Sequence, residues 1–314
     1  MQIRRLASRR TVLALIGACL ISAPVSAHPG SGIAVDRQGQ VYFLDTGSGL
    51  WKIDTQGKLS KLSGTRFHWL SLDANNRFAD TPLPSGSRGD IEKAGTSPTA
   101  LLSSDYPIAT GQDGNLYYPS GSPDGLQIMR MLPSEQRFGH HKGRSLRTSV
   151  LASLTATARG PLMHINGIAA GPDNSLYYTE DDAIRRISAM GQVTTVATVS
   201  ALVGPGAPGS IPGVEQRPYL RGLAVDARGV MYVADSGDAR VLKITPDGKF
   251  TTLLQLQSPW SPTAVALFGG DVYVLEYLHV AGDDRLAWLP RVRKISADGK
   301  STIIATVEQM PGAR

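Results

Sequence analysis

The chain has a single cysteine, Cys19, in 314 residues, so it has neither a disulfide framework nor a site built from several thiolates. Cys19 lies in an apolar stretch near the N-terminus; removal of that stretch on export leaves no thiol and excludes a cysteine nucleophile. Acids are missing before Asp36, whereas Arg4, Arg5, Arg9 and Arg10 crowd the first ten residues. Without those four arginines the formal charge falls from +6 to +2, too weak a basic field for a nucleic-acid partner. Also absent are Gly-x-Ser-x-Gly, His-Glu-x-x-His and a dinucleotide fingerprint. The glycine-rich stretch 204–209 lacks the Lys-Ser/Thr and helix start of a phosphate loop. Charged residues at 18% and hydrophobic ones at 41% describe neither a disordered nor a highly charged chain. The 34 glycines and 20 prolines suit a fold with many tight turns.

Residues 1–27 have an arginine-rich start, the apolar run Val12–Ile21, and Ser22-Ala23-Pro24-Val25-Ser26-Ala27. This is the three-zone pattern of a signal peptide, with the cut expected after Ala27. The apolar run is short of the about 20 residues that span a bilayer, and the body beyond it offers no transmembrane segment or amphipathic membrane helix. Ser8-Arg9-Arg10-Thr11-Val12-Leu13 resembles a twin-arginine motif. The Sec route is open too, and Ile16-Gly17-Ala18-Cys19 resembles a lipoprotein box that would anchor the protein through Cys19. The expected location is periplasmic or secreted.

From residue 28 a repeat runs through the chain. Gly32-Ile33-Ala34-Val35-Asp36, Gly39 and Val41-Tyr42-Phe43-Leu44-Asp45 return as Gly222-Leu223-Ala224-Val225-Asp226, Gly229 and Met231-Tyr232-Val233-Ala234-Asp235. Another copy holds Gly167-Ile168-Ala169, Leu176-Tyr177-Tyr178-Thr179-Glu180 and Ile184-Arg185-Arg186-Ile187. Weaker copies begin near Pro107 and Thr263. The most decayed begins at Trp69, with Arg77-Phe78-Ala79-Asp80 and Ile91-Glu92-Lys93. Starts at 32, 69, 107, 167, 222 and 263 match the period of about 40–50 residues of propeller blades. The two long spacings imply inserts at 133–162 and 200–218. Each copy has four short apolar or alternating runs between turn signals. The expected fold is therefore all-β: a six-bladed β-propeller of four-stranded antiparallel blades over 28–314, after the signal peptide. A solenoid of the same units is the alternative. Tyr42, Tyr177, Tyr232 and Tyr273 share one repeat position, which reads as packing between blades.

The unit Gly-Leu-Ala-Val-Asp…Gly…Tyr-Val-Ala-Asp…Val-Leu-Lys-Ile…Asp-Gly resembles the NHL repeat. Asn166-Gly167-Ile168, with Pro172-Asp173 and Tyr177-Tyr178, also resembles the metal-binding segment of the gluconolactonase, senescence-marker and luciferin-regenerating family of six-bladed propellers. That resemblance implies a divalent cation, Ca²⁺ or Zn²⁺, on Asn166, and hydrolysis of lactones or related esters. The family's Asp ligand and general base falls on Arg221 here, and its Glu ligand falls near Ser31. A guanidinium carries a fixed positive charge and cannot bind a cation, so the resemblance is equally consistent with no cofactor.

If the first strand of each repeat is innermost, the residues before it line the mouth of the axis. These are Ser31, His68, Tyr106, Asn166, Arg221 and Pro262. The ends of the second strands bring Asp45, Asp80, Ser120, Glu180, Asp235 and Glu276 to the same face, with Asp181 beside Glu180. His68 suits a base or acid, Tyr106 a proton donor, and Arg221 a carboxylate or oxyanion partner. Asn166 with Glu180, Asp235 or Glu276 suits a hard cation. Plainer roles stand beside each of these. Asp45 and Asp235 are good turn formers, Arg221 suits an ion pair, and His68 suits a packed loop. The basic run Arg137–Arg144 lies in an insert and reads as a solvated loop or an anion site. Two functions follow. One is a binding module for a small molecule or a cell-envelope protein, at the mouth and loops. The other is a gluconolactonase-like hydrolase or lyase acting on a small lactone, ester or sugar-derived substrate, with His68, Tyr106 and Arg221 as its catalytic residues. Intact mass measurement of the exported protein should give a chain starting at His28; a chain starting at a lipid-modified Cys19 would instead establish the lipoprotein route.

Overall fold

Runs such as Val41–Asp45 and Met231–Asp235 are too short for helices and are rich in β-branched and aromatic residues. Turns at Asp and Gly bound them, so they pair as antiparallel strands. The computed structural model of the protein describes residues 30–64, 67–78, 89–93, 98–104, 106–122, 125–133, 148–154, 165–200, 218–278 and 288–308. Among these, the only helical piece is a 3-10 turn at Pro172–Asn174.

The first sheet runs β1 (Ile33–Val35), β2 (Val41–Asp45), β3 (Gly49–Ile53) and β4 (Leu59–Ser63). The second has three strands, β5 (Trp69–Asp73), β6 (Gly89–Lys93) and β7 (Thr99–Ser103), in the spatial order β5-β7-β6. The third holds β8 (Ala109–Thr110), β9 (Leu116–Ser122), β10 (Gly125–Met131) and β11 (Thr148–Leu154). The fourth holds β12 (Ile165–Ala170), β13 (Leu176–Glu180), β14 (Ala183–Ile187) and β15 (Val193–Thr198). The fifth holds β16 (Leu220–Val225), β17 (Met231–Asp235), β18 (Arg240–Ile244) and β19 (Phe250–Gln255). The last holds β20 (Trp260–Phe268), β21 (Asp271–Leu278), β22 (Pro290–Ile295) and β23 (Ser301–Thr306).

The first strands meet in a circuit. β1 lies beside β5 and β20, β5 beside β8, β8 beside β12, β12 beside β16, and β16 beside β20. The sheets therefore radiate from one axis as a β-propeller, with the first strands innermost. Apolar side chains fill the wedges between sheets. Tyr177 packs with Leu223 and Val233, Tyr232 with Val265 and Val274, and Tyr273 with Ile33 and Phe43. The shared tyrosine position is thus a contact from one sheet to the next. Its hydroxyl is held locally where an Asp turn is within reach: Tyr42 donates to Asp36 at 3.2 Å and Tyr117 to Asp113 at 2.6 Å.

The repeat glycine has a steric cause. A Cβ on Gly167 would lie 2.6 Å from the Arg221 carbonyl oxygen, and one on Gly222 would lie 2.7 Å from Ala264 Cβ. On Gly32 it would lie 2.8 Å from Leu70 Cβ. Adjacent inner strands come too close for any side chain at these points. The register shifts beside the same residues, between Ile165 and Gly167, between Leu220 and Leu223, and between Pro262 and Ala264. Such bulges re-aim side chains, and they fall at Asn166, Arg221 and Thr263.

Two sequence expectations change. Among the described residues the second sheet has three strands where four were expected, and β5 pairs with β7 where Arg77–Asp80 was expected. The strand beside an axis-lining strand is covered on both faces, and Ala100, Leu101 and Leu102 are wholly buried there. Arg77 and Phe78 instead follow a turn closed by Asp73, whose carboxylate accepts from Phe78 N at 2.7 Å; Asp80 lies outside the described residues. Secondly, the stretch 133–162, read as an insert, contains the outer strand β11, paired with β10. Its outer position leaves Val150 exposed, which weakens the apolar signal. Residues 134–147 and 155–162 of that stretch, 201–217 of the other, and the leader 1–27 lie outside the described residues. Among the described residues no helix is long and apolar enough to cross a membrane.

Gly222→Ala should lower stability by about 1–3 kcal/mol, the usual cost of overpacking, in thermal or denaturant unfolding. Gly64→Ala, where an added Cβ meets nothing within 4 Å, is the control and should unfold like the wild type. Equal stability of both variants would mean that the inner strands do not need the missing Cβ.

Candidate axial binding site

The bulged inner strands bring four sheets together around Arg221. Its carbonyl accepts from Thr179 Oγ1 at 2.7 Å and abuts Gly167, so Asn166 and Arg221 are neighbours on adjacent strands. Arg221 is only 6% exposed. Loss of water pulls its guanidinium below the usual arginine value, opposed by its electrostatic neighbours Tyr219 and Tyr277. Asn166 Oδ1 accepts from the Tyr219 hydroxyl at 3.4 Å. Tyr277 is fully buried, and its hydroxyl donates to the Leu44 carbonyl at 2.7 Å across the junction of the last and first sheets. Burial, together with the nearby Asp45 charge, pushes this phenol well above its ordinary value. It therefore acts as a neutral donor.

On the first two sheets, Ser31 N donates to the His68 carbonyl at 2.8 Å. His68 is half-buried, and its Nδ1 lies 2.9 Å from the Ser104 carbonyl. A carbonyl only accepts, so Nδ1 carries a proton there. Tyr106 is half-buried and stacks on Tyr118 with ring centroids 5.7 Å apart. That contact lies within its own sheet.

Four side chains at this end, each more than nine-tenths buried, have a polar atom without a hydrogen-bond partner. They are Ser31 Oγ, Thr46 Oγ1, Ser103 Oγ and Asn166 Nδ2. Buried polar atoms without partners are costly, and native proteins satisfy them with water or ligand. Thr46, Ser103, Tyr219 and Tyr277 escape sequence reasoning because the residue type at their positions changes from copy to copy: Thr46 and Tyr277 correspond to Asp181 and Ser236. Only their place just beyond or before a strand end hints at them.

The carboxylates expected at the mouth are bound within their sheets. Asp45 accepts from Gly47 N at 3.0 Å and from the Ser48 hydroxyl. Glu180 accepts from Arg185 Nε at 2.7 Å. Asp235 accepts from Arg240 Nε at 2.8 Å and Tyr219 N at 3.1 Å. Glu276 is fully buried and holds both Arg291 and Arg293, while Arg291 lies 3.6 Å from the Trp260 ring centroid. Asp181 sits in the β13–β14 turn with φ +49°, and its carbonyl accepts from Leu220 N at 2.8 Å. Among the described residues no three His, Cys, Asp or Glu side chains gather as a metal would need. A divalent cation on Asn166 would face a buried guanidinium, so this donor set does not fit one.

Burial raises the Asp45 carboxyl above its ordinary 3.8, against the lowering by its hydrogen bonds. The folded chain then holds this proton more tightly than the unfolded chain, so the contribution of Asp45 to stability falls as pH rises through that range. Lowering the pH from about 7 to about 4 should stabilise the wild type relative to Asp45→Asn in thermal unfolding. A pH-independent difference would contradict the raised value.

Residues 132–277 match the family model of the SMP-30/gluconolactonase/LRE-like region. This segment includes Asn166, Glu180, Asp181, Arg221, Asp235 and Glu276 but not His68 or Tyr106. No curated protein sequence matches the chain. Among solved structures, the luciferin-regenerating enzyme is 16% identical, with 85% of this chain and 91% of that one covered and a TM-score of 0.52. Regucalcin, a calcium-binding protein from Agrobacterium tumefaciens strain C58, is 14% identical over 82% of this chain and 86% of that one, with a TM-score of 0.50. Virginiamycin B lyase from Staphylococcus aureus is 16% identical over 88% and 83%, with a TM-score of 0.47. At these identities the likeness is one of fold. Over residues 132–277 the propeller is thus similar to the SMP-30/gluconolactonase/LRE-like region.

Proposed function

We propose that the protein is exported to the periplasm or beyond the cell and binds a small molecule at its axial mouth. We count the three-stranded sheet as a reduced blade, which makes the propeller six-bladed. The observation that carries this reading is the set of buried, unpartnered polar atoms on Ser31, Thr46, Ser103 and Asn166. They come from the first, second and fourth sheets. Because they are buried, they suit a small ligand better than the flat surface of an envelope protein. The carboxylates Asp45, Glu180, Asp235 and Glu276 then act behind the site. They hold turns and arginines, and so fix the strand ends that present the mouth.

A second reading is a lactone- or ester-directed hydrolase or lyase. It is favoured by the family region and by His68, a residue suited to act as a base. In this reading His68 takes a proton from an attacking water, Arg221 holds the oxyanion and Tyr106 donates to the leaving oxygen.

A panel of sugars, amino acids, lactones and their open acids, read by thermal shift, tests both. A ligand of the mouth should raise Tm with concentration and lose its effect in Asn166→Ala and Ser31→Ala. Hits unchanged in both variants would place binding elsewhere. The enzyme reading expects turnover of δ-gluconolactone or p-nitrophenyl acetate that His68→Ala reduces by about a hundredfold or more. Rates equal to the uncatalysed background in wild type and variant would remove it.

A further inference from the structure

The chain itself bridges five of the six junctions between neighbouring sheets, as residues 256–259 do between β19 and β20. The sixth junction, where β20 of the last sheet meets β1 of the first, joins sheets that are not consecutive in the chain. Apolar packing fills this seam: Ile33, Val41 and Phe43 of the first sheet cluster with Tyr273, Leu275 and Val292 of the last. That attraction is non-directional. Direction comes from hydrogen bonds, and three of them meet on one atom. The Tyr277 hydroxyl donates to the Leu44 carbonyl at 2.7 Å and accepts from the Thr46 and Gly30 backbone N–H groups. Tyr277 is fully buried. At the junction of the fifth and last sheets the corresponding residue, Ser236, makes a like bond to the Pro262 carbonyl.

We propose that the propeller opens reversibly at the seam between its last and first sheets, and that the Tyr277 phenol is the latch that keeps this seam closed. Gly30 precedes β1, and Leu44 and Thr46 stand at the end of β2. One oxygen of the last sheet therefore fixes both strands of the first. A phenylalanine at position 277 keeps the ring and its packing but leaves the Leu44 carbonyl and two N–H groups without that oxygen. At the other junctions a parted contact stays tethered by its chain link, which returns the partners at high effective concentration. At the seam only the rest of the ring does so. Opening there also brings water to Ser31 Oγ and Thr46 Oγ1, buried on the first sheet without a hydrogen-bond partner, which offsets part of its cost. This opening is independent of what the mouth binds.

Native-state hydrogen exchange of the exported protein at low denaturant, read peptide by peptide in a mass spectrometer, tests the latch. In the wild type, exchange should be faster in β1, β2, β20 and β21 than in β13 and β17. It should also depend less on denaturant there, since a partial opening exposes less surface. Tyr277→Phe should speed exchange in those four strands by about ten- to a hundredfold, the worth of buried backbone groups left unpaired, and leave β13 and β14 at the wild-type rate. Ser236→Ala is the control: its junction keeps the link 256–259, so no opening confined to β16 and β17 should follow. Equal acceleration in every sheet of Tyr277→Phe, or none, would overturn the latch. A local opening in Ser236→Ala as large as that in Tyr277→Phe would overturn the seam as the place where the ring parts. Should Tyr277→Phe fail to fold, the wild type decides: exchange in β1 and β2 as slow and as denaturant-dependent as in β13 and β17 would overturn the proposal.

Discussion

The structure depends on how closely the innermost strands approach one another. Where β12 meets β16, and β16 meets β20, the backbones are so near that Gly167 and Gly222 have no room for a methyl group. That approach sets the width of the axis. It also explains why each inner strand bulges next to the glycine. The bulge turns the residue before the glycine out of the sheet plane, and in these two strands those residues are Asn166 and Arg221. A steric requirement of packing thus decides which side chains leave the sheet plane at these points.

Behind the opening, charge stabilises the sheets. Each of the last three four-stranded sheets carries a carboxylate at or near the end of its second strand and answers it with arginine from the third strand. Glu180 meets Arg185, Asp235 meets Arg240, and Glu276 meets Arg291 and Arg293. The Asp235–Arg240 pair is almost fully buried, and losing one partner of such a pair typically costs about 3–5 kcal/mol. These acids therefore hold the strand ends firm and leave the mouth to neutral polar groups and Arg221.

The arrangement of the strands was largely legible in the sequence because the repeat carries its own physics. Asp36 and Asp226 cap the turns that follow them, accepting from Gln38 N and Gln40 N and from Arg228 N and Val230 N at 2.8–2.9 Å. The tyrosine two residues into each second strand packs against the next sheet. The decayed copy was misread because Thr99–Ser103 announces itself only by Ala100-Leu101-Leu102, without the turn glycine that marks its counterparts. Asn166, Arg221 and His68 were legible as positions, since register alone puts them at the inner strand ends. Their partners were not: Tyr219 reaches Asn166, and Tyr277 reaches Arg221, across sheet boundaries, and no local pattern encodes such contacts.

Every sheet is made of strands consecutive in the chain, so among the described residues no strand crosses from the last sheet to the first. Among the described residues the circle is joined there by side-chain packing around Tyr273, Ile33 and Phe43 and by hydrogen bonds of the Tyr277 hydroxyl, among them the one to the Leu44 carbonyl. Ser31, Asp45 and Thr46 stand on one side of that join, and Tyr277 and the neighbouring Arg221 on the other. A molecule gripped from both sides would work as a clasp, drawing its affinity partly from shutting the ring and lending the ring rigidity in return.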